Sequence, residues 1–212
     1  MNTPTRDEIN KIMDIRFSED IHNKLKSAKV GLAGLGGLGS NIAAMLARSG
    51  VGNLHIVDFD KVDLSNLNRQ NYYIDHLGMY KTQAAAKILK SINPYLNITY
   101  ETTKIDENNA PDIFKDIDFI CEAFDNAENK AMLINTLLTT YKDKKIVSGS
   151  GMAGYGSSNL IKTTKKMKNL YICGDGVSDI NDGMGLMSPR VSICAGHQAN
   201  MVIRLILGEN EV

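Results

Sequence analysis

The chain has 212 residues, with 24 Lys and Arg balancing 24 Asp and Glu, three cysteines and no tryptophan. That length suits one α/β domain with a sizeable core, and the zero net charge provides no global field to recruit nucleic acid or an anionic membrane. The start, MNTPTRDEIN, lacks an apolar signal core and no stretch approaches a transmembrane length, so a cytoplasmic protein without nucleic-acid or membrane partners is expected. Cys121, Cys173 and Cys194 are too few and too scattered for a disulfide framework or a C-x-x-C zinc site, so no zinc is expected. Cys121 and Cys194 fall in apolar runs and read as packing residues. Cys173, next to Gly174, has the one setting worth testing for reactivity, although packing is the favoured reading there too.

A leader, Asp7 to Ser27, shows helical spacing through Ile9, Ile12, Met13, Ile21 and Leu25. A short apolar strand, Val30 to Ala33, then feeds the loop Gly34-Leu35-Gly36-Gly37-Leu38-Gly39, which opens a helix reaching about Ser49. Strand Leu54 to Val57 follows and ends on Asp58. This is a nucleotide cradle: Gly34 allows the tight turn, Gly36 and Gly37 let backbone N–H groups approach a phosphate, and Gly39 lets the helix pack close to the sheet. Asp58 stands where an acid accepts hydrogen bonds from ribose hydroxyls.

A polar link, Lys61 to His76, has no sustained period and is expected to be flexible. Next come a helix from Gly78 to Ser91, stopped by Asn93-Pro94, strand Asn97 to Thr102, and a short helix at Ala110 to Phe114. Strand Asp118 to Glu122, helix Ala127 to Tyr141 and strand Lys145 to Ser148 continue the alternation. Beyond Ser148, two β-like runs around a basic turn suggest an edge hairpin. The glycine-rich loop Gly174 to Ser188 leads into a final apolar helix, Val191 to Leu207. The expected fold is therefore α/β: a doubly wound, mostly parallel Rossmann-like sheet with a C-terminal antiparallel edge hairpin and a final helix. One domain is expected, divided into a helical leader (1–27), a nucleotide-binding core (28–148) and an edge with the last helix (149–212).

Asp58, Asp60 and Asp125 all follow strand ends, where ligands bind an open parallel sheet, and Arg69 and Lys81 lie on the same edge. Carboxylates hold Mg²⁺, while Lys and Arg neutralise phosphate oxygens as charge builds, so the mixture suits ATP with Mg²⁺ better than a nicotinamide. Asp60 reads equally well as a turn former, and Ser65 and Asn66 as caps of a short helix. His197 reads as a packed or interface histidine, and Arg190 as either a tail contact or a helix-start charge.

The cradle, VDFD, SNLNRQ (Ser65 to Gln70), Gly78-x-x-Lys81 and the pair Asp125-Asn126 together resemble the adenylyltransferase family of MoeB, ThiF and the ubiquitin-activating enzymes, over about Lys24 to Gly208. GSGMAGYGSSN, GDGVSD, GLMSPRV and GHQAN bring the chain nearest the short bacterial form of ThiF. The resemblance implies ATP-dependent adenylylation of the C-terminal Gly carboxylate of a ThiS-like sulfur carrier ending in Gly-Gly, for thiamine thiazole biosynthesis. Pyrophosphate would be released, and a homodimer is implied. It also implies roles: Gly37 against the nucleotide and Asp58 on the ribose, with Asp60 and Asn66 in the nucleotide-binding set. Asn68 and Arg69 would hold phosphate oxygens, Lys81 would face the α-phosphate, Asp125 would bind Mg²⁺, and Asn126 would line the pocket. The catalytic set is then Arg69, Lys81 and Asp125.

Three departures stand out, the first being that the two C-x-x-C pairs that bind a structural zinc in the longer relatives are absent here. The family's Asp-Asn-x-x-x-Arg ends here in Lys130, so an ion pair there is expected to be weaker or rearranged. The resemblance also implies an N-terminal arginine donated to the partner subunit's site, for which Arg16, with Arg6 behind it, is the candidate in a loosely matching leader. Gly174 to Ser188 is expected to be a mobile lid over the carrier tail. The open alternatives are adenylylation of a small-molecule or tRNA-linked carboxylate, a nicotinamide-dependent oxidoreductase, and a nucleotide-binding scaffold without turnover.

Overall fold

The computed structural model describes residues 3–179 and 183–212. Two helices begin the chain, α1 (Arg6–Phe17) and α2 (Glu19–Ser27). Thr5 starts α1 through a capping box with Glu8, and the break between the two helices falls at Ser18, the one non-glycine residue with positive φ (73°) among the described residues. The continuous helical period of the leader is thus cut by a single backbone reversal.

The core follows as β1 (Lys29–Ala33), α3 (Gly37–Arg48), β2 (Asn53–Val57), α4 (Lys81–Ile92), β3 (Asn97–Glu101), α5 (Ala110–Phe114), β4 (Phe119–Glu122), α6 (Ala127–Thr140) and β5 (Lys145–Gly149). A hairpin, β6 (Lys162–Met167) and β7 (Leu170–Gly174), then leads to α7 (Ser188–Ile206). The sheet order is β3-β2-β1-β4-β5-β7-β6, and every neighbouring pair is parallel except β6 with β7. The expected edge hairpin is therefore present.

Alternate side chains of each strand enter opposite layers. Val30, Leu32, Cys121, Val147 and Tyr171 pack with α3, α4 and α7, while Ala33, Ile120, Ile146 and Leu170 pack with Phe114, Leu133 and Leu137 from α5 and α6. Both faces are covered, which is why the central strands read as unbroken apolar runs. No helix among the described residues is long and apolar enough to cross a membrane.

Two sequence expectations change. The link Lys61 to His76 is not featureless: it forms two 3₁₀ turns, Leu64–Asn66 and Ile74–His76. It is tied down by Val62 N–H to the Met79 carbonyl (2.9 Å) and by the Tyr72 hydroxyl to the Leu35 carbonyl (2.9 Å). The sequence also leads one to expect surplus apolar residues for a homodimer on both the leader and the last helix, yet in the last helix Val191, Cys194, Ala195, Ala199, Val202 and Leu205 are buried within this chain. Unmet apolar surface lies instead on α1, where Ile12 and Ile15 are 57% and 70% exposed.

Candidate functional site

Strand order reverses between β1 and β4, and a crevice at such a switch point, beyond the carboxyl ends of the strands, is where open α/β sheets bind ligands. A cavity of about 430 Å³ lies there, within the usual range for small-molecule sites. Gly34, Gly36, Gly37 and Leu38 form part of its wall. Gly34 has φ +92°, a conformation that L side chains rarely adopt. A Cβ on Gly39 would stand 1.9 Å from the Gly34 carbonyl oxygen, so only glycine allows α3 to start against this loop. The first-turn N–H groups of a helix have no intrahelical acceptor, and Gly37 and Leu38 bring that donor-rich end to the cavity.

Asp58 joins the loop to the end of β2. Its Oδ2 accepts from Leu35 N–H (2.6 Å) and its Oδ1 from Asp60 N–H (2.7 Å). Burial pushes its carboxyl above the ordinary value, and Lys81 with those two N–H groups only partly offsets the rise. Lys81, buried at the start of α4, donates from Nζ to Asp60 Oδ2 (2.8 Å), and its own N–H reaches the Asp60 carbonyl (2.9 Å). Asp60 thus holds the lysine at the cavity wall by side chain and backbone together. Arg69 Nη1 donates to the Ser65 carbonyl (3.1 Å) and to Asn68 Oδ1 (2.8 Å), while its Nε is buried without a partner.

Asp125, in the turn between β4 and α6, is exposed and lines the cavity. Its carboxylate has no hydrogen-bond or ion-pair partner among the described residues. A free carboxylate beside a phosphate-sized space fits Mg²⁺, which is commonly bound by one or two carboxylates with substrate phosphates and water. No cluster of three or more His, Cys, Asp or Glu among the described residues could hold a metal by itself.

Asp58, Asp60, Arg69, Lys81 and Asp125 therefore share one cavity with Gly34, Gly36 and Gly37. Four expected members stand outside its lining. Gly39 is the helix–loop contact. Asn66 Oδ1 accepts from Asp63 N–H (3.0 Å) to close a 3₁₀ turn, and Asn126 caps α6 by accepting from Asn129 N–H (2.9 Å). Asn68 Nδ2 donates to the Leu186 carbonyl (3.1 Å), tying the link to the segment before α7.

Sequence reading missed Gln70, whose Oε1 is buried without a partner in the cavity wall, along with Lys104 and Asn129, which also line it. Gln70 ends the SNLNRQ run and was within reach of that motif; Lys104 carries no local signal. Also missed was Glu122, fully buried at the end of β4 and paired with Lys130 Nζ (2.9 and 3.1 Å). A charge closing the apolar run FIC (Phe119 to Cys121) was its sign. The ion pair expected to be weaker or rearranged at Lys130 is present, with Glu122 fully buried and Lys130 partly so.

Arg190 is no surface charge. It is 4% exposed, pairs with Asp175 and donates to the Gly156 and Ser157 carbonyls (2.5 and 2.8 Å). Burial would push the Asp175 carboxyl up, yet the Val177 and Ser178 N–H groups, the Ser178 hydroxyl and Arg190 hold it at about 2. Of the expected lid, 180–182 lie outside the described residues; its described ends are anchored by Asp175 N–H to the Gly151 carbonyl (2.9 Å) and Gly154 N–H to the Gly185 carbonyl (2.8 Å). His197 is a packed residue bonded through Nδ1 to Thr163 Oγ1 (3.0 Å). All three cysteines are buried, and burial raises Cys173 to about 11, Cys194 to about 12 and Cys121 further. Arg16 is exposed on α1, away from its own chain's cavity, and Arg6 lies over the Tyr95 ring at 5.3 Å.

The fold is a Rossmann-like domain whose cavity wall combines a glycine loop, three cations and an unpaired carboxylate. The chain belongs to the ThiF family, whose model matches residues 10–212. It is 42% identical over 115 residues to the molybdopterin-synthase adenylyltransferase of Haemophilus influenzae, covering 54% of this chain and 47% of that protein. It is 31% identical over 193 residues to the adenylyltransferase and sulfurtransferase UBA4 of Candida glabrata, covering 87% of this chain and 44% of that one. The chain spans about half the length of the curated relatives it matches. Among solved structures, the E. coli tRNA N6-threonylcarbamoyladenosine dehydratase TcdA in complex with AMP superposes with TM-score 0.85 at 18% identity, covering 99% of both chains. Its ATP complex gives 0.86 at 19%, covering 98% of both. Likeness at that identity concerns the fold.

Proposed function

We propose that the chain transfers the AMP moiety of ATP to a carboxylate, with the C-terminal Gly of a ThiS-like sulfur carrier ending in Gly-Gly as acceptor, in the service of thiamine thiazole formation. The observation that carries this reading is the convergence of Asp58, Arg69, Lys81 and an unpaired Asp125 around one cavity floored by a glycine loop. The names of the sequence relatives support the chemistry.

In this reading the loop N–H groups and the α3 terminus receive phosphate, and Asp58 keeps lone pairs for the ribose hydroxyls. Arg69 and Lys81 stand against the α-phosphate, where negative charge grows as the carboxylate oxygen attacks phosphorus. A new O–P bond forms, the bond to the β-phosphate oxygen breaks, and its electron pair leaves with pyrophosphate. Mg²⁺, when bound, adds charge neutralisation on the phosphates, and Asp125 is the residue that would hold it. The acceptor is already ionised near neutral pH, so no general base is required. A homodimer is part of the proposal, resting on the exposed Ile12 and Ile15 of α1 and on Arg16 beside them.

The identity to a molybdopterin-synthase adenylyltransferase favours one second reading, a carrier belonging to molybdopterin synthase. Exchange of labelled pyrophosphate into ATP, measured with each carrier and with neither, separates the readings. Exchange with the ThiS-like carrier alone is the expected result, and exchange with the other carrier alone moves the function to molybdopterin. Exchange that needs only an added small carboxylate and no carrier indicates a small-molecule acceptor, and none with any acceptor leaves a binding scaffold.

A further inference from the structure

Glu122 is a charged residue with no exposed surface, outside the nucleotide-binding set, yet every polar contact it makes surrounds the turn that carries Asp125. Its Oε1 accepts from Phe124 N–H at 2.6 Å, the N–H next to Asp125. Lys130 Nζ, one turn into α6, reaches Oε1 and Oε2, and the Ser148 hydroxyl from β5 donates to Oε2. The Glu122 carbonyl accepts from Gln198 Nε2 of α7 (3.1 Å), which also bonds the Val147 carbonyl (3.1 Å). One carboxylate thus ties the Phe124 N–H of the 123–126 turn to Lys130 of α6 and Ser148 of β5, while Ala123, Phe124 and Asp125 line the nucleotide cavity.

A buried ion pair adds little net stability compared with apolar groups of the same shape, because desolvation consumes most of the attraction. Its directional bonds do specify geometry, and Asp125 has no side-chain partner of its own to set its place. We infer that Glu122 and Lys130 are positioning residues for adenylyl transfer: their buried pair sets the 123–126 turn and through it the placement of the Asp125 carboxylate against the nucleotide phosphates. This rests on the adenylylation reading above.

The test uses the full chain with its carrier and compares three proteins with the parent: Asp125→Ala, the near-isosteric neutral pair Glu122→Gln/Lys130→Met, and the conservative Lys130→Arg. Two quantities are read: kcat and KM for carrier-dependent pyrophosphate exchange, and the gain in ATP affinity on adding Mg²⁺, by calorimetry without carrier. The neutral pair should lose about 10- to 100-fold in kcat with KM for ATP little changed, the cost of misplacing a group by about 1 Å. Its Mg²⁺-linked gain should fall toward that of Asp125→Ala, and Lys130→Arg should recover most of both.

A folded neutral pair with parental kcat and parental Mg²⁺-linked gain overturns the inference. If the neutral pair does not fold, Ser148→Ala, which removes one of the two donors on Oε2 and keeps the ion pair, must show the same two signs at smaller size; parental values there overturn it equally. Parental behaviour of Asp125→Ala itself sinks the site reading, whereas an impaired Asp125→Ala beside a normal neutral pair sinks the positioning role alone.

Discussion

Gly39→Ala is a sensitive test of whether the glycine loop and α3 form one unit. The added Cβ would meet the Gly34 carbonyl oxygen at 1.9 Å, the Gly34 carbonyl carbon at 2.8 Å and the Ala123 Cβ at 3.4 Å. Two of these atoms are backbone, so no rotamer change relieves the clash. The start of α3 must move roughly 1 Å from the loop to restore ordinary contact, and overpacking of this kind costs about 1–3 kcal/mol. For a domain of this size that is roughly 3–10 °C in Tm. The displacement also shifts Gly36 and Gly37 at the α3 terminus, whose N–H groups are the donors expected on the phosphates, so ATP affinity should fall at least about tenfold. Thermal unfolding by circular dichroism and ATP titration by calorimetry read the two effects. A Gly39→Ala protein with parental Tm and parental ATP affinity would refute the close-packing account of this glycine.

Arg69→Ala and Lys81→Ala should each lower kcat by roughly two to four orders of magnitude with a smaller change in ATP affinity; a change confined to KM would make either residue a ground-state phosphate contact. Asp175→Asn should destabilise the protein by about 2–4 kcal/mol at neutral pH, because it leaves Arg190 buried without its counter-charge. Since the folded-state value of about 2 lies below the ordinary 3.8, this contribution is present above pH 3.8 and is lost as pH falls through 2. The parent should therefore lose stability over that window more steeply than the variant, and equal slopes in urea titrations would reject the assignment. The three buried thiols, with Cys173 at about 11 and Cys194 at about 12, should resist iodoacetamide at pH 8 in the folded protein and react in urea; rapid labelling of Cys173 in the native state would contradict its burial.

The α/β alternation, the edge hairpin and the glycine loop that opens α3 were legible in the chain because each is a short-range pattern. Two-residue and 3.6-residue periods, glycines that must turn, and acids closing strands are fixed by neighbours along the backbone. The grouping of Asp58, Arg69, Lys81 and Asp125 was also legible, since residues that follow strand ends on one edge of a parallel sheet meet without detailed packing. Tertiary structure decided what each polar side chain does there. Asp60 became the holder of Lys81, and Asn66 and Asn126 became caps. Arg190 turned inward to a partner fifteen positions away, and Glu122 found Ser148 and Lys130 on separate elements. The burial of α7 against α3 was likewise invisible locally. An apolar period shows that a face needs covering, but only the packed chain shows what covers it. A polar side chain is worth little until burial removes its water, and burial is a property of the whole fold.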